Sequence, residues 1–193
     1  MIIYTAPVTP ECDLKGAVSV FLAGGISGCP NWQKEVIEHL GDYPDTDDLI
    51  VFNPRGDIFE KDEIDKDDLY VQWRWENYFL KNIDIFSIYF CEGKSQSFSM
   101  YELGKFFGVK VISRNGIFTY SIPILSTEKG FSKFDGILCR TAFEFDDADD
   151  IITNYKKNGI VPSYINANAT PESHAKRIYD EYCRITGIKE EKC

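Results

Sequence analysis

One glutamate, Glu102, stands in markedly apolar company. It belongs to the stretch SFSMYELG (97–104), and the KFFG that follows adds two more phenylalanines. An acid near a helix N-terminus most often stabilises the helix dipole from the surface. Here Tyr101, Leu103 and Phe106 leave little polar face for that role. The pattern is compatible with two structures: a solvated helix face, or a carboxylate held at the mouth of a pocket.

Other acids lie close to this glutamate along the chain. Asp84 opens the apolar run DIFSIYF (84–90), and Glu92 follows that run ten residues before Glu102. The segment from Arg55 to Asp68 is also acidic, and we expect it to be a solvated surface loop.

A glycine-rich loop follows the first apolar run, in FLAGGISGCPNWQ. Glycines such as Gly24, Gly25 and Gly28 let a ligand approach the backbone closely, and a helix N-terminus attracts anions. The loop contains neither G-x-G-x-x-G nor G-K-[ST], so a phosphate or sugar pocket and a simple tight turn both remain open. Cys29 has no histidine nearby in sequence, which favours a structural thiol over a nucleophile.

Composition excludes several classes of function. The net charge of −10 argues against binding a nucleic-acid duplex. No apolar run approaches the roughly 20 residues that span a bilayer, and the first residues do not resemble a signal peptide, so we expect a cytoplasmic protein without a membrane partner. Six cysteines without C-x-x-C spacing and two histidines predict reduced thiols and no metal site.

Strand and helix patterns alternate along the first half of the chain. We predict strands at 18–23, 49–54, 84–90 and 109–113, and helices at 31–40, 69–83 and 98–108. Such alternation predicts an α/β fold, with a parallel sheet covered by helices on both faces. Ligands bind at the carboxyl ends of such strands, so one rim would carry Gly24 and Gly25, Asn53, the loop 91–97 and, at the start of the next helix, Glu102.

The signal is weaker beyond Ser113. The run DGILCR (135–140) predicts a fifth strand, and helical patterns cover 146–159 and 171–187. We expect one α/β domain at 1–125 and an α-rich C-terminal extension at 126–193 packed on the same domain.

Several segments in order carry a family resemblance. VFLAGGISGCPNWQ, VFNPR, QWRWENYFLKNIDIFSIYF and SFSMYELGKFFG resemble nucleoside 2-deoxyribosyltransferases and their relatives over residues 1–113. The resemblance implies a flavodoxin-like (Rossmann-like) sheet, no cofactor and a homo-oligomer. It also implies cleavage of the N-glycosidic bond of a deoxynucleoside or deoxynucleotide, with transfer to a free base or hydrolysis.

The resemblance also assigns roles to residues. Glu102 would attack C1′, and Asp84 would contact the base or manage its proton. Gly24, Gly25, Asn53 and Glu76 would shape the pocket. Gln96 stands where the transferases carry a further aspartate, so either Glu92 takes that role or the role is missing. Ser99, together with Lys94, Ser95 and Ser97, could bind a 5′-phosphate, although Ser97 or Ser99 could equally cap a helix.

The chemistry agrees with these roles. A carboxylate stabilises and can capture an oxocarbenium-like C1′, and a helix N-terminus would keep Glu102 ionised. A second group must protonate the departing base. Phe21, Trp32 and Trp75 are candidates for walls that exclude water and stack on the base.

Two other functions fit the same residues. The chain could be a non-catalytic nucleotide-binding module whose acidic loop and C-terminal extension face a protein partner, or an inactive structural relative. Glu102→Gln separates them from the enzyme, because a binder would keep its affinity whereas a covalent catalyst would lose its turnover.

Overall fold

A computed structural model describes residues 1–11, 16–61, 63–108, 110–114, 117–142 and 147–188. In chain order its strands are β1 (Ile2–Thr5), β2 (Val18–Gly24), β3 (Leu49–Asn53), β4 (Ile85–Phe90), β5 (Lys110–Arg114), β6 (Ile117–Ser121), β7 (Ile124–Thr127) and β8 (Ile165–Ala167). Its α-helices are α1 (Trp32–Gly41), α2 (Lys66–Asn82), α3 (Ser97–Phe106), α4 (Phe134–Ala142), α5 (Ala148–Asn158) and α6 (Pro171–Thr186). A short 3-10 helix spans Asp57–Glu60.

Six of the strands form one parallel sheet in the order β1-β3-β2-β4-β7-β8. Counted from β2, this is the flavodoxin-like order 2-1-3-4-5, with β1 added at the edge beside β3. The predicted α/β flavodoxin-like fold is confirmed. The direction of chain progression reverses between β2 and β4, so their carboxyl ends form the switch point where such folds bind ligands.

Helices cover both faces of the sheet, each over its own apolar core. On one face, α1 and α6 pack on side chains of β2, β3 and β4 through Trp32, Val36, Leu40, Ala175, Ile178 and Tyr182. On the other face, α2, α3 and α4 pack on the alternate side chains of the same strands through Trp75, Phe79, Leu80, Leu103, Ile137 and Leu138. Because the strands are buried on both faces, they read as continuous apolar runs.

The predicted fourth strand of the parallel sheet was wrong. Residues 110–113 of this run lie in β5, which pairs antiparallel with β6 in a separate two-stranded sheet, and residue 109 is outside the described residues. The place next to β4 belongs to β7, whose four residues are all buried. Position 111 in β5 is instead exposed while Ile112 is buried, so this strand has one buried face and suits a surface hairpin.

The second half of the chain builds the same sheet. DGILCR, predicted as a strand, lies within α4, because Ile137, Leu138 and Thr141 are buried at helical spacing. The two predicted C-terminal helices are confirmed as α5 and α6. The expected boundary at residue 125 falls inside β7, and the chain after it supplies β8 and α6.

The acidic segment before α2 is only partly the predicted loop. Its end forms the first turn of α2, where the Asp65 side chain accepts a hydrogen bond from the Asp68 N–H (2.7 Å). Asp67 and Asp68 lie in that turn, where the helix dipole favours negative charge.

Candidate active site

Two glutamates interact across the seam between α2 and α3. Glu76 on α2 follows the buried Trp75, and Glu102 on α3 precedes the buried Leu103. These anchors place both carboxyl groups at the boundary of the core, partly buried. The arrangement brings together two acids that lie 26 positions apart in the sequence.

Contacts between the two helices bracket this pair of acids. Toward the start of α3, the Trp73 and Phe98 rings lie 5.9 Å apart between centroids. On the other side, Lys105 Nζ donates a hydrogen bond to Asn77 Oδ1 (2.8 Å). The seam is therefore joined by rings at one end and by a polar bridge at the other.

Burial shifts the titration of both acids. It raises the pKa of Glu76 to about 7, against the opposing effect of a hydrogen bond from Gln72. Burial also raises the pKa of Glu102 to about 8, and the Glu76 charge adds to this rise. Because the charge of Glu76 affects Glu102, the two carboxyl groups titrate as a pair, which holds about one proton in all between pH 7 and 8.

The expectation that a helix N-terminus keeps Glu102 ionised is corrected by this result. Glu102 is the sixth residue of α3, and the first turn contains no acid. The favourable field of a helix falls off within its first turn, so burial dominates at this position.

Gln72 holds Glu76 in place. Its Nε2 donates hydrogen bonds to Glu76 Oε1 (2.7 Å) and to the Pro54 carbonyl (2.6 Å), and its side chain is buried. Sequence analysis missed Gln72, although its position four residues before Glu76 on a predicted helix was an available signal. It also borders a cavity of about 180 Å³ at the start of α2, which is lined by Pro7, Ile58, Asp65, Asp67, Asp68 and Val71.

The loops after β2 and β4 pack closely at the switch point. Gln96 Oε1 accepts a hydrogen bond from the Cys91 N–H (3.2 Å), and its Nε2 donates to the Cys91 carbonyl (2.7 Å). A Cβ at Gly25 would overlap Gln96 Oε1 and Cys29 Sγ, so packing accounts for this glycine. Cys29 is buried, and burial together with the neighbouring Cys29 thiol raises the pKa of Cys91.

Two further residues of the rim stabilise the conformation of the backbone there. Gly24 has a φ of +143°, and a Cβ there would overlap the Tyr89 carbonyl oxygen. Asn53 Oδ1 accepts a hydrogen bond from the Arg55 N–H (3.0 Å). Arg55 in turn donates to the Pro30 carbonyl (2.7 Å), which ties the end of β3 to the glycine loop.

The residues expected to hold a phosphate differ in their exposure to solvent. Ser99 is buried, whereas Lys94, Ser95 and Ser97 are exposed. Neither serine caps α3, because Gln96 is the N-cap residue, in a left-handed conformation without a side-chain cap bond. Glu92 is exposed on the same loop.

Asp84 lies at the amino ends of the strands, whereas the rim lies at their carboxyl ends. It precedes the first residue of β4, and the six residues of that strand separate it from Cys91, roughly 20 Å at about 3.3 Å per residue. Its Oδ2 accepts hydrogen bonds from the Ser19 N–H (2.7 Å) and Oγ (2.8 Å). The structure therefore does not bring Asp84 to Glu102, and the aspartate joins the beginnings of β2 and β4.

The aromatic walls expected from the sequence are core residues. Phe21, Trp32 and Trp75 are each at most 4 % exposed. The indole nitrogens of Trp32 and Trp75 donate to the carbonyls of Gly25 and Val8. The rings cannot stack on a ligand from these positions.

The described part of the chain has no cluster of three or more His, Cys, Asp or Glu side chains placed to hold a metal ion. Within the same residues, no helix has both the length and the apolar composition needed to cross a membrane.

Fold and site together define a flavodoxin-like α/β protein with a pair of carboxyl groups on two adjacent helices. The family model for nucleoside 2-deoxyribosyltransferase-like proteins matches residues 17–113, just over half of the 193-residue chain. The chain belongs to this nucleoside 2-deoxyribosyltransferase-like family, and the matched segment contains both Glu76 and Glu102. No curated protein matches the chain at a significant level of similarity.

Proposed function

We propose that this protein cleaves the N-glycosidic bond of a deoxynucleoside or deoxynucleotide and passes the deoxyribosyl group to a second base or to water. The observation that carries the proposal is the pair of partly buried carboxyl groups, Glu76 on α2 and Glu102 on α3, inside the family segment, with burial raising the pKa of both. One ionised and one protonated carboxyl group are what such a displacement requires.

In the first step Glu102 acts as the nucleophile and Glu76 as the acid, starting from the form of the pair in which the proton lies on Glu76. Because the pKa of Glu102 is the higher of the two, this is the less populated of the two singly protonated forms. A carboxylate oxygen of Glu102 bonds to C1′ while the bond between C1′ and the base nitrogen breaks. The electron pair of that bond goes to the base, which takes the proton of Glu76. Because the transition state carries positive charge at C1′, the adjacent Glu102 carboxylate stabilises it.

The second step reverses these roles. A nitrogen of the acceptor base, or a water molecule, gives a proton to the Glu76 carboxylate and attacks C1′. The bond from C1′ to Glu102 breaks, and its electron pair returns to the carboxylate. Because each displacement inverts the configuration at C1′, the product has the same configuration at C1′ as the substrate.

We therefore assign protonation of the departing base to Glu76 and not to Asp84. Asp84 is held by Ser19 at the far edge of the sheet, whereas Glu76 interacts with Glu102 directly. For Gly24, Gly25, Asn53 and Gln96, the contacts described above support a role in positioning the rim loops and the start of α3. We assign Glu92 and Ser99 no separate step.

The test is product analysis with purified protein. We would incubate it with deoxynucleosides and deoxynucleoside monophosphates, with and without a free acceptor base, and separate the products by chromatography. Wild type should release or exchange base, Glu102→Ala should lose nearly all turnover, and Glu38→Ala, an exposed glutamate on α1, should retain it. Dependence on the acceptor separates transfer from hydrolysis.

Two outcomes would contradict the proposal. Turnover that survives in Glu102→Ala would exclude the nucleophile. Ligand binding by calorimetry without turnover of any substrate would identify a binding module instead. Sedimentation of the same preparation would test the homo-oligomer that the family resemblance implies.

A further inference from the structure

Two exposed aromatic rings stand beside the carboxyl pair. Trp73 is 45 % exposed and Phe98 is 72 % exposed, although both are large apolar side chains. Their rings are tilted by 37° with centroids 5.9 Å apart. This contact joins α2 to α3, the same two helices that carry the acids.

The spacing along each helix links the rings to the acids. Trp73 precedes Glu76 by three positions on α2, and Phe98 precedes Glu102 by four on α3. Residues three or four apart share one face of a helix. The two rings and the two acids therefore form adjacent levels of one seam, about one helical turn or 5.4 Å apart.

This separation matches the geometry of a nucleoside. A nucleophile approaches its carbon to about 3–3.5 Å, and the base is bonded directly to that carbon. A base whose C1′ is held at Glu102 consequently lies on the order of one helical turn from the carboxylate. The other direction along the seam carries the exposed polar bridge from Lys105 to Asn77, whereas the ring side offers aromatic surface to the base.

We propose that Trp73 and Phe98 form the surface on which the nucleobase stacks. The proposal rests on the function proposed above, and it replaces the buried Phe21, Trp32 and Trp75 in that role. Stacking accepts any base with an aromatic face, so these rings would bind purines and pyrimidines alike and leave the choice between them to polar groups.

The first experiment measures kinetics. Trp73→Ala and Phe98→Ala should each raise KM for deoxynucleosides about 5- to 100-fold, as expected for loss of one base–aromatic contact. Trp73→Phe and Phe98→Tyr keep an aromatic ring, so their KM values should be close to that of the wild type. Phe118→Ala is the matched control, because Phe118 in β6 is also 72 % exposed and lies outside α2 and α3. Unchanged KM in both alanine variants would overturn the proposal while leaving the proposed reaction intact.

The second experiment detects binding without turnover. Trp32 and Trp75 are buried, so Trp73 is the tryptophan that an incoming base can reach. Titration of Glu102→Gln with a deoxynucleoside should quench fluorescence, and the quenching should disappear when Trp73→Phe is added. Quenching with no wild-type turnover would support the stacking surface and refute the reaction.

The same rings could instead serve contact between copies of the chain. Sedimentation of Trp73→Ala and Phe98→Ala decides this point. A loss of oligomer in these variants, with fluorescence insensitive to deoxynucleosides, would overturn the stacking proposal in favour of a subunit interface.

Discussion

Among the individual residues, the behaviour of Glu76 and Glu102 is governed by burial and by each other. Within the described residues no Lys or Arg forms an ion pair with either acid, and the pKa of Glu102 rises from burial and then from the charge of Glu76. Burial of these carboxyl groups lowers the stability of the folded protein when they ionise, and it makes a proton available near neutral pH.

The pair predicts a bell-shaped pH dependence. Below about pH 7 both acids become protonated and no nucleophile remains, and above about pH 8 both ionise and no acid remains. We expect kcat/KM to be highest between these values. Removing the Glu76 charge lowers the pKa of Glu102, so residual activity in Glu76→Gln should persist to lower pH and lack the alkaline limb. A profile unchanged in shape would contradict the assignment.

Glu102 also predicts a pH-dependent gain in stability on mutation. Its pKa in the folded protein is about 8, against 4.5 ordinarily. Its stabilising contribution is therefore complete below about pH 4.5 and is lost as pH rises through about 8. Glu102→Gln should match wild type near pH 4.5 and exceed it by about 1–3 kcal/mol at pH 9, measured by denaturant unfolding.

The control for that measurement is Glu38→Gln. Glu38 is 63 % exposed in its side chain, so its substitution should leave the free energy of unfolding nearly unchanged at both pH values. An equal effect of Glu102→Gln at pH 4.5 and pH 9 would show that burial of this carboxyl group is not the cause.

Among the helices and strands, the junction of β2, β4 and α3 sets the shape of the rim. Gln96 joins the end of β4 to the start of α3 through both of its amide atoms. The loop after β2 passes so close that Gly25 has no room for a side chain. The position of α3, and hence of Glu102, depends on this contact.

A single methyl group should disturb the junction. Gly25→Ala would push against Gln96 and Cys29, and overpacking of this kind costs about 1–3 kcal/mol. Thermal unfolding would measure the loss, and base release would fall as α3 shifts. Gly136→Ala is the matched control, because a Cβ there meets nothing within 4 Å and alanine favours the interior of α4. A Gly25→Ala protein as stable as Gly136→Ala would contradict the packing argument.

In the molecule as a whole, the C-terminal part of the chain packs on the segment that the family model matches. α6 buries Ala175, Ile178, Tyr179, Tyr182 and Cys183 in the core that it shares with α1. His174 of the same helix is fully buried between Ser87 of β4 and Ser126 of β7, at 2.7 Å from each. Helix α6 is thus anchored on the central strands of the sheet.

The fragment 1–125 should therefore fail to fold. Each large apolar side chain buried by α6 contributes about 1.5–3 kcal/mol, and a whole domain is stable by only about 5–15 kcal/mol. Circular dichroism and denaturant unfolding would compare the fragment with the full chain. A cooperative unfolding transition in the fragment would contradict this prediction and support a boundary at residue 125.

Local sequence patterns were sufficient for most elements of the fold. Strands such as β2 and β4 are continuous apolar runs, and α6 carries one apolar stripe, so their identity depends on neighbours along the chain. The same patterns failed for β5 and α4. A short apolar run does not reveal how many of its faces will be buried, and that number placed β5 in a surface hairpin and made DGILCR helical.

The composition of the site depended on packing between distant segments. The family resemblance assigned the proton of the base to Asp84 and the shape of the pocket to Glu76, among other residues. In the structure Asp84 lies at the amino end of β4, whereas Glu76 lies on helix α2 close enough to α3 to affect Glu102. Exposure likewise distinguished Trp73 from Trp75, two positions apart on one helix. Which acids meet, and which rings face solvent, follows from the side-by-side arrangement of α2 and α3, because proximity in space is set by how the elements pack.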